Sequence, residues 1–107
     1  MANGSSATDR ELDELIAEIT VDANGEDEAL AGFEVAFDND IRFPLAGTVI
    51  GEAVQVLSVG MADGRQELIA TCTRTGRRYR VALLDVDIDA EDDALRLVAA
   101  YRRWLGA

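Results

Sequence analysis

Residues 68–83 read LIATCTRTGRRYRVAL. Leu68, Ala70 and Cys72 alternate with Ile69, Thr71 and Thr73. Beyond Thr75-Gly76, Tyr79, Val81 and Leu83 alternate with Arg78, Arg80 and Ala82. A period of two on both sides of a Thr-Gly pair predicts two half-buried strands joined by a tight hairpin. Leu68, Ala70 and Cys72 are expected on the buried face, with Ile69, Thr71 and Thr73 on the other. Working upstream, Thr48, Val49 and Ile50 form a short apolar run, and Val54, Val56, Leu57 and Val59 follow Gly51. Ala62-Asp63-Gly64-Arg65 reads as a turn. Short strands at this spacing predict a small antiparallel sheet or an SH3-like barrel.

Downstream, Asp85, Asp87 and Asp89 alternate with Leu84, Val86 and Ile88 as the wet face of a strand. Asp89 is expected to cap a last helix carrying Glu91, Asp92 and Asp93 in its first turn. Leu95, Val98, Tyr101, Trp104 and Leu105 would form its apolar face. Arg102 and Arg103 fall at its negative C-terminal end.

The N-terminal part has helical texture. Residues 1–7 are small and polar and predict a disordered start. Thr8 and Glu11 are spaced as a capping box. Leu12, Leu15, Ile16 and Ile19 then recur at i, i+3, i+4 and i+7, with Glu11, Asp13, Glu14 and Glu18 off that stripe. Asn24-Gly25 is a break, and Asp22 or Asn24 is expected to cap a second helix opened by Glu26, Asp27 and Glu28. Ala29, Leu30, Phe33, Ala36 and Phe37 would be its buried side. Gly32 costs about 1 kcal/mol against Ala in a helix, so its place there predicts a close approach of another element. The helix should end near Asp38-Asn39-Asp40, where Phe43-Pro44 turns the chain. The expected fold class is α+β: the sheet or barrel flanked by two N-terminal helices and one C-terminal helix.

Composition narrows the function. The 107 residues suit one domain, residues 8–107, with its own core. The formal net charge is −11, and all ten basic residues are Arg. So negative a surface repels nucleic acid and anionic membranes and favours cations or basic proteins. The chain has no His, which removes the usual acid/base group near neutral pH and the commonest transition-metal ligand. Cys72 is the single Cys, so no intramolecular disulfide forms and a thiolate zinc site is disfavoured. No nucleophile motif or phosphate loop is visible, and Cys72 reads as a small core residue, so the expectation is a non-enzyme. A monomer in the reducing cytoplasm is the expected setting.

The charge is concentrated. Between Asp9 and Asp40 stand twelve acidic residues against one basic residue, Arg10. Carboxylates on a folded frame repel one another, and Ca²⁺, which takes about six to eight oxygen ligands, relieves that repulsion. An EF-hand is excluded. Counted from Asp85, Ala90 stands where the loop needs Gly and Arg96 where it needs Glu; counted from Asp22, Asp27 and Phe33 stand there.

Residues 21–44 read VDANGEDEALAGFEVAFDNDIRFP. This stretch resembles the signature region of the CcbP-type small acidic calcium-binding proteins of cyanobacteria and other bacteria. The features are Val21-Asp22-Ala23, Glu26 with Glu28, Ala29 or Ala31, Gly32-Phe33, Asp38-Asn39 and Phe43-Pro44. Gly51-Glu52 before the Val-rich strand, the Gly-Arg hairpin and the acidic-aromatic C-terminal helix extend the resemblance over most of the chain. Two departures stand out: Glu34, Val35 and Ala36 replace a more aromatic stretch, and Asp38 is followed by Asn39 where an acidic pair is expected.

The resemblance implies a non-EF-hand calcium-binding domain that buffers or senses Ca²⁺. The site residues it favours are Asp38 and Asp40 first, then Asp22, Glu26 and Glu28. The alternative is a protein-interaction module with an SH3-like barrel and an acidic surface. Its basic element would be Arg74, Arg77, Arg78 and Arg80 around Tyr79, expected otherwise to pair with the chain's own acidic helices.

Overall fold

The computed structural model describes residues 7–62 and 66–106. Residues 1–6 of the expected N-terminal segment, and 63–65 of the expected turn, lie outside the described residues. Helix α1 spans Asp9–Ile19 and α2 spans Glu26–Asp40. Strands β1 (Leu45–Val49), β2 (Glu52–Met61), β3 (Leu68–Arg74) and β4 (Arg77–Ala82) follow. A 3-10 turn at Leu83–Asp85 leads to β5 (Asp87–Asp89), and α3 (Asp92–Leu105) closes the chain. The fold is α+β, three helices on one antiparallel sheet of order β4-β3-β2-β1-β5. Of the two expected forms the structure shows the sheet, a β1–β4 meander whose first strand also pairs with the last, β5. No helix among the described residues is long and apolar enough to cross a membrane.

Both tight hairpins use two-residue loops with positive φ at both positions, the primed turn whose twist matches the strands. Thr75-Gly76 was expected; Ile50-Gly51 was not. Ile50 does not extend a strand but sits at the tip of the β1–β2 turn, 95% exposed, with φ 51°. A β-branched residue there is a conformational outlier, which is why its sequence reads as strand. In β2, Val54, Val56 and Val59 all face the core although the last two are three residues apart. A bulge between Val56 and Ser58 absorbs the extra residue, Leu57, and restores the inward register against β3.

The core joins the inner sheet face to the helices. Leu30, Phe33, Phe37, Val56, Leu68, Cys72, Leu83 and Tyr101 are almost fully buried. Phe33 meets Tyr101 edge-on at 5.6 Å and Trp104 at 5.3 Å between ring centroids. Such contacts contribute about 0.5–1.5 kcal/mol beyond the area they bury. The Tyr101 hydroxyl accepts the Leu68 N–H at 2.8 Å, fixing α3 to the start of β3. Burial pushes the Tyr101 phenol up from its ordinary pKa.

Several local expectations are corrected. The α2 N-cap is Gly25, without a side-chain cap, rather than Asp22 or Asn24. The α3 N-cap is Glu91 rather than Asp89, because Asp87–Asp89 is taken up as β5 against β1. The buried stripe of α3 is Ala94, Leu97, Ala100 and Tyr101. Leu95 is only half-buried and Leu105 exposed, since docking against α1 and α2 turns the helix by one position. Ile69, expected outward, is buried between Gly60 and Ala82.

Other expectations hold. Thr8 and Glu11 close a reciprocal capping box, which holds the Glu11 carboxyl below its usual pKa. Gly32 is the crossing point of the two N-terminal helices. A Cβ there would lie 2.6 Å from the Ile19 carbonyl oxygen, so only Gly admits α1 this close.

Candidate metal centre

Helix α2 carries four of the five candidate ligands at its two ends. Glu26 and Glu28 lie in its first turn, Asp38 and Asp40 in its last, and Asp22 in the turn before it. All five are exposed. At about 1.5 Å rise per residue, the two ends are on the order of 18 Å apart, too far to share one ion. Any site therefore belongs to one end or the other.

The ends differ chemically. At the N-terminal end, the Asn24 N–H donates to Glu28 Oε1 at 3.1 Å, and Gln66 Nε2 donates to Asp27 Oδ1 at 2.7 Å. These residues, with Gly25 and Glu26, line a shallow depression. The helix start is also the positive end of the backbone dipole, which already favours carboxylates and opposes a cation. At the C-terminal end the dipole is negative, and the last carbonyls lack helical partners. Asp38, Asn39 and Asp40 add two carboxylates and an amide oxygen. No basic residue lies in this last turn, and the C-cap, Ile41, is extended. The side chains of Asp38, Asn39 and Asp40 make no hydrogen bond or ion pair among the described residues.

Most other carboxylates of the acidic segment are engaged. Arg103 grips Asp13 with two hydrogen bonds, at 2.7 and 3.2 Å, and reaches Asp9 at 3.5 Å. The guanidinium holds the Asp13 carboxyl below its usual pKa. Arg10 lies 3.9 Å from Glu14. Glu34, one turn before Asp38, is half-buried and accepts the Met61 N–H through Oε2 at 2.9 Å, bolting α2 to β2. The role of Glu34 was not visible in the sequence, because its partner lies 27 positions away with no local signal.

Carboxylate, amide and carbonyl oxygens are the donors a hard cation takes, and the end of α2 offers all three. No three Asp, Glu, Cys or His side chains among the described residues converge into a ready-made metal cluster. Asp38 and Asp40 are two positions apart and do not face each other across the helix. The donor types fit Ca²⁺; a full coordination shell would draw in main-chain oxygens and water.

The basic cluster does not pair with the acidic helices as expected. Arg74 bridges to Glu52 of β2, while Arg77, Arg78 and Arg80 make no ion pair among the described residues. The reason is placement: the β3–β4 hairpin occupies a sheet edge, and Arg78 and Arg80 point away from the core face that α2 and α3 cover.

No protein-family model matches the chain, and no curated protein matches its sequence. Among solved structures, the crystal structure of Anabaena CcbP superposes with a TM-score of 0.78 at 25% identity, covering 94% of each chain. The resemblance read from Val21-Asp22-Ala23 through Phe43-Pro44 thus extends over the whole domain, and the chain has the CcbP-type fold.

Proposed function

We propose that this chain is a non-catalytic, non-EF-hand calcium-binding protein, a cytoplasmic monomer that buffers or senses Ca²⁺. The shared fold with CcbP supports calcium binding in general terms. The observation that carries the finer reading is the C-terminal end of α2. Its last turn gathers two carboxylates with no basic residue in it and, among the described residues, no ion pair to Arg42 just beyond. A bound Ca²⁺ would accept oxygens from Asp38, Asn39, Asp40 and the last carbonyls of the helix. It would relieve repulsion between these groups and the dipole, and stiffen the exit into Phe43-Pro44. Asp22, Glu26 and Glu28 form the weaker second candidate, opposed by the helix start.

The test is calorimetric titration of Ca²⁺ into chelator-stripped protein in the presence of millimolar Mg²⁺. Saturable binding of one or two ions, weakened in Asp38→Ala, is the expected result. Heat that disappears with Mg²⁺ or modest salt would leave only a diffuse counterion atmosphere and overturn the assignment.

A further inference from the structure

The outward face of the sheet is electrically polar. At one edge, β5 presents Asp87 and Asp89, both exposed. At the other edge, β4 presents Arg78 and Arg80, also exposed, with Arg77 beside the turn. Between them lie mostly small or polar residues, among them Ala46, Thr48, Gln55, Ser58, Thr71 and Thr73.

The register of β4 gives these arginines a second property. Arg74 and Arg77 flank a two-residue loop, which makes them a hydrogen-bonded pair. Pairs alternate along an antiparallel ladder, so Arg78, opposite Thr73, and Arg80, opposite Thr71, are non-hydrogen-bonded positions. Their main-chain N–H and C=O groups therefore point to the open edge. No hydrogen bond to another element satisfies these groups among the described residues. The same two residues thus offer open strand-pairing groups and uncommitted guanidinium groups.

We propose that the β4 edge is a docking site for an extended acidic segment of a partner protein, which adds as a sixth strand beside Arg78 and Arg80. Main-chain pairing supplies the register, and carboxylates at alternate positions of the incoming strand lie opposite the two guanidinium groups. Charge complementarity selects this occupant. Two copies pairing β4 to β4 would bring arginine against arginine, the arrangement that keeps edges from self-association. The β5 edge of another copy is only three residues long, too short to pair along the six residues of β4. A nucleic acid backbone offers no strand-pairing groups to the open N–H and C=O groups of Arg78 and Arg80.

The test uses the ¹⁵N-labelled full chain in calcium-free, low-salt buffer with the peptide acetyl-Glu-Val-Glu-Val-Glu-Thr-amide. The largest amide shifts and slowed hydrogen exchange are expected at Arg78 and Arg80. The double variant Arg78→Glu/Arg80→Glu should bind the peptide at least tenfold more weakly, and should instead bind the peptide with Lys in place of Glu. Arg80→Pro is the second variant. It deletes an N–H that faces solvent and no ladder bond to β3, so the fold is retained while peptide binding falls. Equal affinity in the charge-reversed variant, shifts spread over other elements, or no binding at millimolar peptide would overturn the proposal. So would sedimentation showing that β4 instead pairs two copies of the chain.

Discussion

Helices α2 and α3 pack side by side yet finish in opposite ways. The last turn of α3 carries Arg102 and Arg103, and Gly106 closes it in the left-handed conformation, its N–H donating to the carbonyls of Arg102 and Arg103. The Arg103 guanidinium is in turn held by Asp13 and Asp9 of α1. The last turn of α2 carries Asp38, Asn39 and Asp40, no basic residue and no glycine cap. One end is neutralised from within the chain; the other is left to be neutralised from outside. The contrast teaches that total acidity does not locate a cation site. Among many carboxylates, those at a helix C-terminus without an internal partner are the ones a metal would relieve most.

Four experiments break or sharpen this contrast. The largest effect falls on the anchored end. Tyr101→Ala removes a fully buried ring and the acceptor for the Leu68 N–H, and should cost about 3–5 kcal/mol in urea unfolding. Next is the open end with its ion: at a Ca²⁺ concentration of 100 times Kd, the parent should gain about 2.7 kcal/mol of stability. The Asp38→Asn/Asp40→Asn variant should lose most of that gain, as followed by the calcium dependence of the melting temperature.

A smaller effect comes from grafting the chemistry of α3 onto α2. Asp38→Arg should stabilise the calcium-free protein by about 0.3–1 kcal/mol by complementing the dipole, and abolish the calcium response at that end. The smallest concerns the clasp itself. Because Arg103 depresses the Asp13 pKa, the contact stabilises the fold above the ordinary carboxylate range and is lost as pH falls through the lowered folded value. Asp13→Asn should therefore be less stable than the parent at neutral pH, and the two acid-unfolding curves should converge at low pH.

What the chain discloses by itself follows the range of the physics involved. The Thr75-Gly76 hairpin, the Thr8–Glu11 capping box and the inward set Leu68, Ala70 and Cys72 are encoded within a few residues, and each is read directly. Gly32 is legible as an anomaly, a poor helix former whose reason is the Ile19 carbonyl beside it. The failures have long-range causes. Ile50 reads as strand because its own preference is extended, and pairing of β1 with β2 imposes the turn on it. The stripe of α3 is rotated by its docking, so Leu97 replaces Leu95 at the core. For the site, the sequence placed acidic groups at both ends of α2. It could not tell that Glu34 is committed to Met61, Asp27 to Gln66 and Asp13 to Arg103. Those partners lie 27, 39 and 90 positions away.

The Asp13–Arg103 clasp has a consequence for synthesis. It joins positions 90 apart in a chain of 107 residues, so α1 emerges from the ribosome long before its binding surface exists. At about 5–20 residues per second, α1 waits on the order of five to twenty seconds for α3. Through that interval its Leu12, Leu15, Ile16 and Ile19 stripe lacks the α3 surface, and of its two helical neighbours only α2, which crosses it at Gly32, follows soon after.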